Sequence, residues 1–186
     1  MRRAFLALLV ATSAAAAPAL RSGTFEPPRE APAFSLQGSN GASLQLASYR
    51  GKVVALGFGY TSCPDVCPAT LADLAKARRK LGATAADFQV IYVTVDPERD
   101  DAVRLRKYLG AFDATFVGAT GTPTALAEVR KSYGIQASRV GKEPDYFVPH
   151  SSYVYLVDRA GKLRAMVPFG APVDDIVHDV NALLAQ

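Results

Sequence analysis

Both cysteines of the 186-residue chain fall in one stretch, Tyr60-Thr61-Ser62-Cys63-Pro64-Asp65-Val66-Cys67-Pro68. Two periodicities meet there. Before it, Val53-Val54-Ala55-Leu56-Gly57-Phe58 is an unbroken apolar run, the pattern of a strand buried on both faces. After it, Leu71, Leu74, Ala75 and Leu81 recur at helical spacing and Gly82 closes the segment. Pro68 suits a first helical turn, where its missing N–H has no intrahelical partner to lose. A buried strand thus delivers two thiols to a helix N-terminus. Free N–H groups and partial positive charge stabilise thiolate at that place. Such a pair exchanges electrons as dithiol and disulfide, or clamps a thiophilic metal.

The flanking segments predict the fold around it. Residues 33–36 and 43–46 alternate apolar and polar across Gly38-Ser39-Asn40-Gly41, which predicts a hairpin. Residues 88–95 read as a second central strand, ending at Asp96-Pro97-Glu98-Arg99-Asp100. Those polar residues are expected to cap a helix running to about Leu109, with Asp96 as a cap or a residue that tunes a ligand. A short strand over 115–118, a helix over 123–133, strands over 152–157 and 162–167, and an amphipathic helix over 172–184 complete the order. This is an α/β chain, and the order predicts a thioredoxin-like fold: a central mixed sheet flanked by helices, with an N-terminal β-hairpin. Ligands of such sheets sit beyond the carboxyl ends of the strands, where Cys63 and Cys67 lie.

Residues 1–19 read as a cleaved signal peptide: Arg2-Arg3, an apolar run from Phe5 to about Ala17, and small residues at the cleavage zone. The run is shorter than the roughly 20 residues of a spanning helix, so a periplasmic product is expected rather than a membrane-tethered one. Residues 20–32, rich in Pro and charge, are expected to be a flexible lead-in to a single domain over 33–186. Removing Arg2 and Arg3 leaves 19 basic against 17 acidic residues, a balance that argues against nucleic acid or an anionic membrane surface as partner.

An oxidising compartment usually turns paired cysteines into a structural disulfide. A bridge between Cys63 and Cys67 closes a loop too short to remove much unfolded-state entropy, so reactivity or metal binding explains the pair better. Thioredoxin-type exchange usually places two residues between its cysteines. The three residues here put the second sulfur a full turn on, on the same helix face, which suits a bridging metal. His150 and His178 are the chain's histidines. His150 precedes the strand over 152–157, in the loop that faces the dithiol in this fold, and is the candidate third ligand. His178 lies among acids of the last helix and reads as a solvated residue. Two thiolates and one imidazole suit Cu(I) or Cu(II), while the frameworks of structural zinc sites are missing.

Five segments resemble the Sco/SenC family in order: Tyr49-Arg50-Gly51-Lys52-Val53-Val54; Phe58 to Pro68; Val93-Thr94-Val95-Asp96-Pro97-Glu98-Arg99-Asp100; Gly118-Ala119-Thr120-Gly121-Thr122; and His150-Ser151-Ser152-Tyr153-Val154-Tyr155-Leu156-Val157-Asp158. The resemblance implies a thioredoxin-like copper protein, with Cys63, Cys67 and His150 as copper ligands. It implies a metallochaperone that delivers one copper to the CuA site of cytochrome c oxidase, with the copper-site subunit as partner and a periplasmic copper donor or thiol reductant beside it. The alternative is a thiol–disulfide oxidoreductase that reduces that subunit's cysteines, with Cys63 and Cys67 as the redox pair. Asp65, inside the motif, is expected to stabilise the helix end rather than bind metal. Family members often carry an acid just before the histidine, where this chain has Pro149.

Overall fold

Hydrophobic patterning sorts the described residues, 18–142 and 145–186 of a computed structural model, into strands and α-helices. In chain order these are β1 (Gly23–Glu30), β2 (Ser35–Gly38), β3 (Ser43–Gln45), β4 (Val53–Gly59), α1 (Val66–Leu81), β5 (Phe88–Thr94), α2 (Ala102–Gly110), β6 (Val117–Thr120), α3 (Pro123–Ser132), β7 (Val140–Lys142), β8 (Asp145–Phe147), β9 (Val154–Val157), β10 (Lys162–Val167) and α4 (Val173–Leu184). The expected signal peptide falls almost wholly on residues 1–17, outside the described residues.

The apolar runs become the sheet's centre. Every residue of β4 and all but Gln89 of β5 are buried. The main sheet has the order β1-β10-β9-β4-β5-β6-β2-β3. β4, β5 and β6 run parallel, and β9 lies antiparallel on the other side of β4. This is the mixed, thioredoxin-like sheet with helices packed on it. α1 buries Leu71, Leu74, Ala75 and Leu81. α4 packs against α1 and buries Ile176, Val180 and Leu183, the four- and three-residue steps of one helical face. Fully burying each such side chain contributes about 1.5–3 kcal/mol. Gly82 ends α1 with a φ of 58°, a left-handed conformation that suits glycine.

The hairpin of β2 and β3 forms where the alternation predicts it. Three other readings are corrected. The lead-in over 20–32 contains β1, which pairs antiparallel with β10, with its register broken between Thr24 and Arg29. β1 is an edge strand exposed on nearly every residue, and Pro27 and Pro28 sit at the break, where no ladder donor is required. An edge strand of this kind has no buried face to write an alternating pattern. It is also tied at its start: the N–H groups of Arg21 and Ser22 donate to the buried Asp179 carboxylate of α4, at 2.7 and 2.9 Å. β6 begins two residues later than the predicted 115–118 strand, because Asp113 turns the chain there by accepting the Thr115 N–H at 2.9 Å. The cap of α2 is Asp101, which accepts the Arg104 N–H at 2.7 Å, so neither Asp96 nor Asp100 is a cap.

A candidate metal and thiol site

Strand direction brings distant parts of the chain to one edge. β4 and β5 are parallel with Gly59 opposite Thr94, so both release their chains at the same end of the sheet. β9 is antiparallel to β4, with Tyr155 opposite Leu56, so the residues entering β9 arrive at that end too. Cys63, Asp96 to Asp100 and His150 converge there.

Cys67 lies in the first turn of α1 and is 2% exposed, whereas Cys63, on the loop before it, is partly exposed. Both are free thiols. The Cys67 N–H donates to Cys63 Sγ at 3.4 Å, so the helix terminus holds the first sulfur over its open end. Cys67 Sγ lies 3.4 Å from His150 Nε2. The other ring nitrogen of His150, Nδ1, is 2.7 Å from the Ser151 carbonyl, a pairing in which the nitrogen donates. In the neutral ring this leaves Nε2 as the bare nitrogen facing sulfur. Burial lowers the His150 pKa against the opposing pull of the Ser151 carbonyl, which favours the neutral ring. Burial, followed by the Cys63 hydrogen bond, pushes the Cys67 thiol up to about 12. The resting contact is therefore a thiol against a neutral imidazole.

The segment carrying His150 is held by backbone. Ser138 N donates to the Pro149 carbonyl at 3.1 Å, Ser151 N donates to the Gln136 carbonyl at 3.0 Å, and Val148 N donates to Tyr60 Oη at 3.3 Å. The Tyr60 ring meets the imidazole edge-on, with centroids 6.0 Å apart. With Pro149 in the preceding position, the Ser151 carbonyl is the group that orients the ring.

Two buried acids support this end of the sheet. Asp100 is fully buried and accepts from Thr61 N at 2.9 Å, Thr61 Oγ1 at 2.6 Å and Thr94 Oγ1 at 2.8 Å, which pins the loop ahead of Cys63. Burial raises its pKa, against the lowering effect of these donors. Arg104 braces the same loop from outside through Thr61 Oγ1 and Ser62 Oγ, at 2.7 and 2.9 Å. Asp96 accepts from Arg99 Nε at 2.5 Å and Tyr146 Oη at 2.8 Å, so it anchors the β7–β8 hairpin rather than a helix. Tyr146 is sandwiched between guanidinium groups, with Arg99 3.6 Å and Arg139 3.7 Å from its ring centroid. These roles are not visible in the local sequence. The acidic Asp96-to-Asp100 segment marked them, but burial of an acid leaves no local periodicity.

Asp65 occupies the cap position of α1 and is exposed, without a side-chain capping bond. Its carboxylate still lies beside the helix N-terminus, where negative charge is favoured. His178 is remote, with Nδ1 3.1 Å from Asp179 Oδ1. Among the described residues, no three His, Cys, Asp or Glu side chains are already gathered tightly enough to hold an ion. Cys67 Sγ and His150 Nε2 are in contact, and Cys63 Sγ meets Cys67 through its backbone N–H. The cavity beside Cys67 and His150 holds about 10 Å³, room for an ion or a water but not for an organic substrate. A larger cavity of about 170 Å³, lined in part by Asp96, Arg130, Arg139 and Tyr146, includes neither cysteine.

A thioredoxin-like sheet with a dithiol at a helix N-terminus and a histidine against the second sulfur defines a thiol or metal protein of that class. The SCO1/SenC family matches residues 23–185, and this chain belongs to it. It is 33% identical over 132 residues to the SCO2-like protein RC0895 of Rickettsia conorii, a match covering 69% of this chain and 64% of that protein's length. The copper-bound ScoI of Bradyrhizobium japonicum superposes with a TM-score of 0.77 at 33% identity, covering 83% of this chain and 99% of that one. BsSco, described as a member of the Sco family of cytochrome c oxidase assembly proteins with a disulfide switch, superposes with a TM-score of 0.67 at 31% identity, covering 85% of this chain and 93% of that one.

Proposed function

We propose that this chain is a periplasmic copper metallochaperone, exported by its N-terminal signal, that holds one copper through Cys63, Cys67 and His150 and passes it to the CuA subunit of cytochrome c oxidase. The observation that carries the reading is the 3.4 Å approach of His150 Nε2 to Cys67 Sγ. The donor set fits the ion. Two sulfurs and a neutral imidazole whose other nitrogen is already engaged make a soft to borderline site. Copper supplies a thiophilic centre there. The chain's own residues orient the imidazole, keep Cys67 dry and leave Cys63 accessible to an incoming ligand of the client. Because the Cys67 thiol rests protonated, loading releases its proton. Metal titration of the reduced protein, with and without His150, tests the reading. The copper-bound state of its B. japonicum relative supports it.

A second reading rests on the unequal exposure of the two sulfurs. As a reductase, Cys63 thiolate attacks a disulfide of the oxidase subunit and forms a mixed disulfide. Cys67 then attacks Cys63 Sγ, giving the Cys63–Cys67 disulfide and releasing the client dithiol. Two electrons pass to the client, and a periplasmic thiol reductant restores the pair. The same sulfurs serve both readings, so copper loading and disulfide formation exclude each other on one molecule.

A further inference from the structure

The hydroxyl of Tyr92 is a buried polar group with no hydrogen-bond partner within 3.5 Å, or 4.0 Å for sulfur. Its residue is 2% exposed, and its Oη has no partner at full hydrogen-bond distance, although it lies close enough to Cys67 to act on that thiol as a donor and lower its pKa. An isolated hydroxyl in a dry interior costs about 1–3 kcal/mol, and a phenylalanine would fill the same space without that cost. The position of the hydroxyl gives it a use. Tyr92 lies on β5 directly opposite Gly57 of β4, and its ring packs over the two glycines of Gly57-Phe58-Gly59. A Cβ on Gly57 would lie 3.3 Å from the ring. A Cβ on Gly59 would lie 1.8 Å from Tyr92 Oη and 2.8 Å from Cys67 Sγ, so the separation of those two atoms cannot exceed the sum of these distances. Tyr92, Cys67 and His150 line the same small cavity.

We propose that Tyr92 is a positioning residue whose hydroxyl turns onto Cys67 Sγ when that sulfur carries negative charge as a metal-bound thiolate, so that it sets how tightly the site holds copper. This rests on the copper reading above. Cys67 Sγ is then supported on two sides, by His150 through the ion and by Tyr92 through an O–H donor. Rotation about the phenolic C–O bond brings the hydrogen to the sulfur without moving the ring. The glycine at position 59 keeps the path clear. The hydroxyl, set near the neutral thiol in the resting protein, is thus the preformed half of a hydrogen bond that tightens on loading. Hydrogen bonds to charged partners are about twice as strong as neutral ones.

The test compares reduced, full-length wild type with Tyr92→Phe. Cu(I) affinity is measured by competition with a chromophoric chelator, the thiolate-to-Cu(II) absorption band is recorded, and the thermal midpoint of the metal-free protein is followed. The expected result is unchanged stoichiometry, a metal-free midpoint equal to or above wild type, copper affinity weakened about tenfold, and an absorption band moved to lower energy as the sulfur loses its donor. Unchanged affinity and band position overturn the proposal. So does a lowered metal-free midpoint, which would show that the hydroxyl already has a partner. If the wild type binds no copper, the copper reading fails by itself. The role of Tyr92 is then decided by the Cys63–Cys67 equilibrium with glutathione: a shift of about fivefold toward disulfide in Tyr92→Phe retains support for the reduced sulfur, and no shift removes it.

Discussion

Cys67 Sγ and His150 Nε2 lie 3.4 Å apart although 83 residues separate them in the chain. The contact follows from strand direction. Parallel β4 and β5 and antiparallel β9 bring the Cys67 helix and the entry to β9 to the same end of the sheet. Backbone bonds to Pro149 and Ser151 then fix the histidine's approach, so its ring does not depend on a mobile loop for its aim.

Asp100 is the chief support of the Cys63 loop. Asp100→Ala strands the donors of Thr61 and of fully buried Thr94. The expected cost is about 3 kcal/mol, or a fall in thermal midpoint of roughly 6–12 °C for a chain of this size. Cys67, shielded in the wild type, should become measurably faster to alkylate. Thermal unfolding followed by circular dichroism, with timed iodoacetamide labelling, checks both expectations. A midpoint within 2 °C of wild type, with unchanged labelling, would remove the supporting role from Asp100 (a threshold of about 1 kcal/mol).

Much of this architecture was legible in sequence because burial leaves a pattern. β4 and β5 are apolar throughout, and α1 and α4 carry helical stripes. The cysteine pair and His150 were legible by residue type and by their places relative to strands. β1 was not, because an exposed edge strand interrupted by Pro27-Pro28 has no periodic signature. β7 and β8 are three residues each, too short to establish a period. Asp96, Asp100 and Tyr146 act through contacts made across the fold, and local spacing cannot separate a capping acid from one buried beneath a loop.

The guanidinium sandwich around Tyr146 should control the stability of the segment that leads to His150. Tyr146→Leu keeps an apolar side chain but removes the stacking faces for Arg99 and Arg139 and the bond to Asp96. Local opening of residues 145–150 should become easier by about 1–2 kcal/mol. Hydrogen exchange there should accelerate about five- to thirtyfold, while β4 and β5 amides keep their protection. Equal acceleration across the whole sheet would assign the effect to global destabilisation.

The tie between the N-terminal segment and α4 should depend on acid. Burial pushes the Asp179 carboxyl up, but the Arg21 N–H, Ser22 and His178 together outweigh it and leave its pKa below the ordinary 3.8. The unfolded chain therefore holds this proton more tightly than the folded one. The carboxylate's contribution is complete above the ordinary value and is lost as the pH falls through the folded value. Asp179→Ala should lower stability by about 1–3 kcal/mol at pH 7. The gap from wild type should narrow as the pH falls below the ordinary carboxylate value. Urea unfolding at a series of pH values measures it, and a gap that widens on acidification would contradict the assignment.

On the proposed function, His150 completes a copper site with Cys63 and Cys67. The most direct measurement is a copper titration of the reduced wild type beside His150→Ala, followed by thiolate-to-Cu(II) absorption and by Cu(I) competition. One copper per wild-type chain is expected. His150→Ala should lose about a hundredfold or more in affinity, since even outer-sphere partners of metal ligands are worth about 10–100-fold, while the dithiol stays exchangeable with glutathione. A wild type that takes up no copper at one equivalent, or a His150→Ala protein that binds it as tightly and with the same spectrum, would remove His150 from the ligand set.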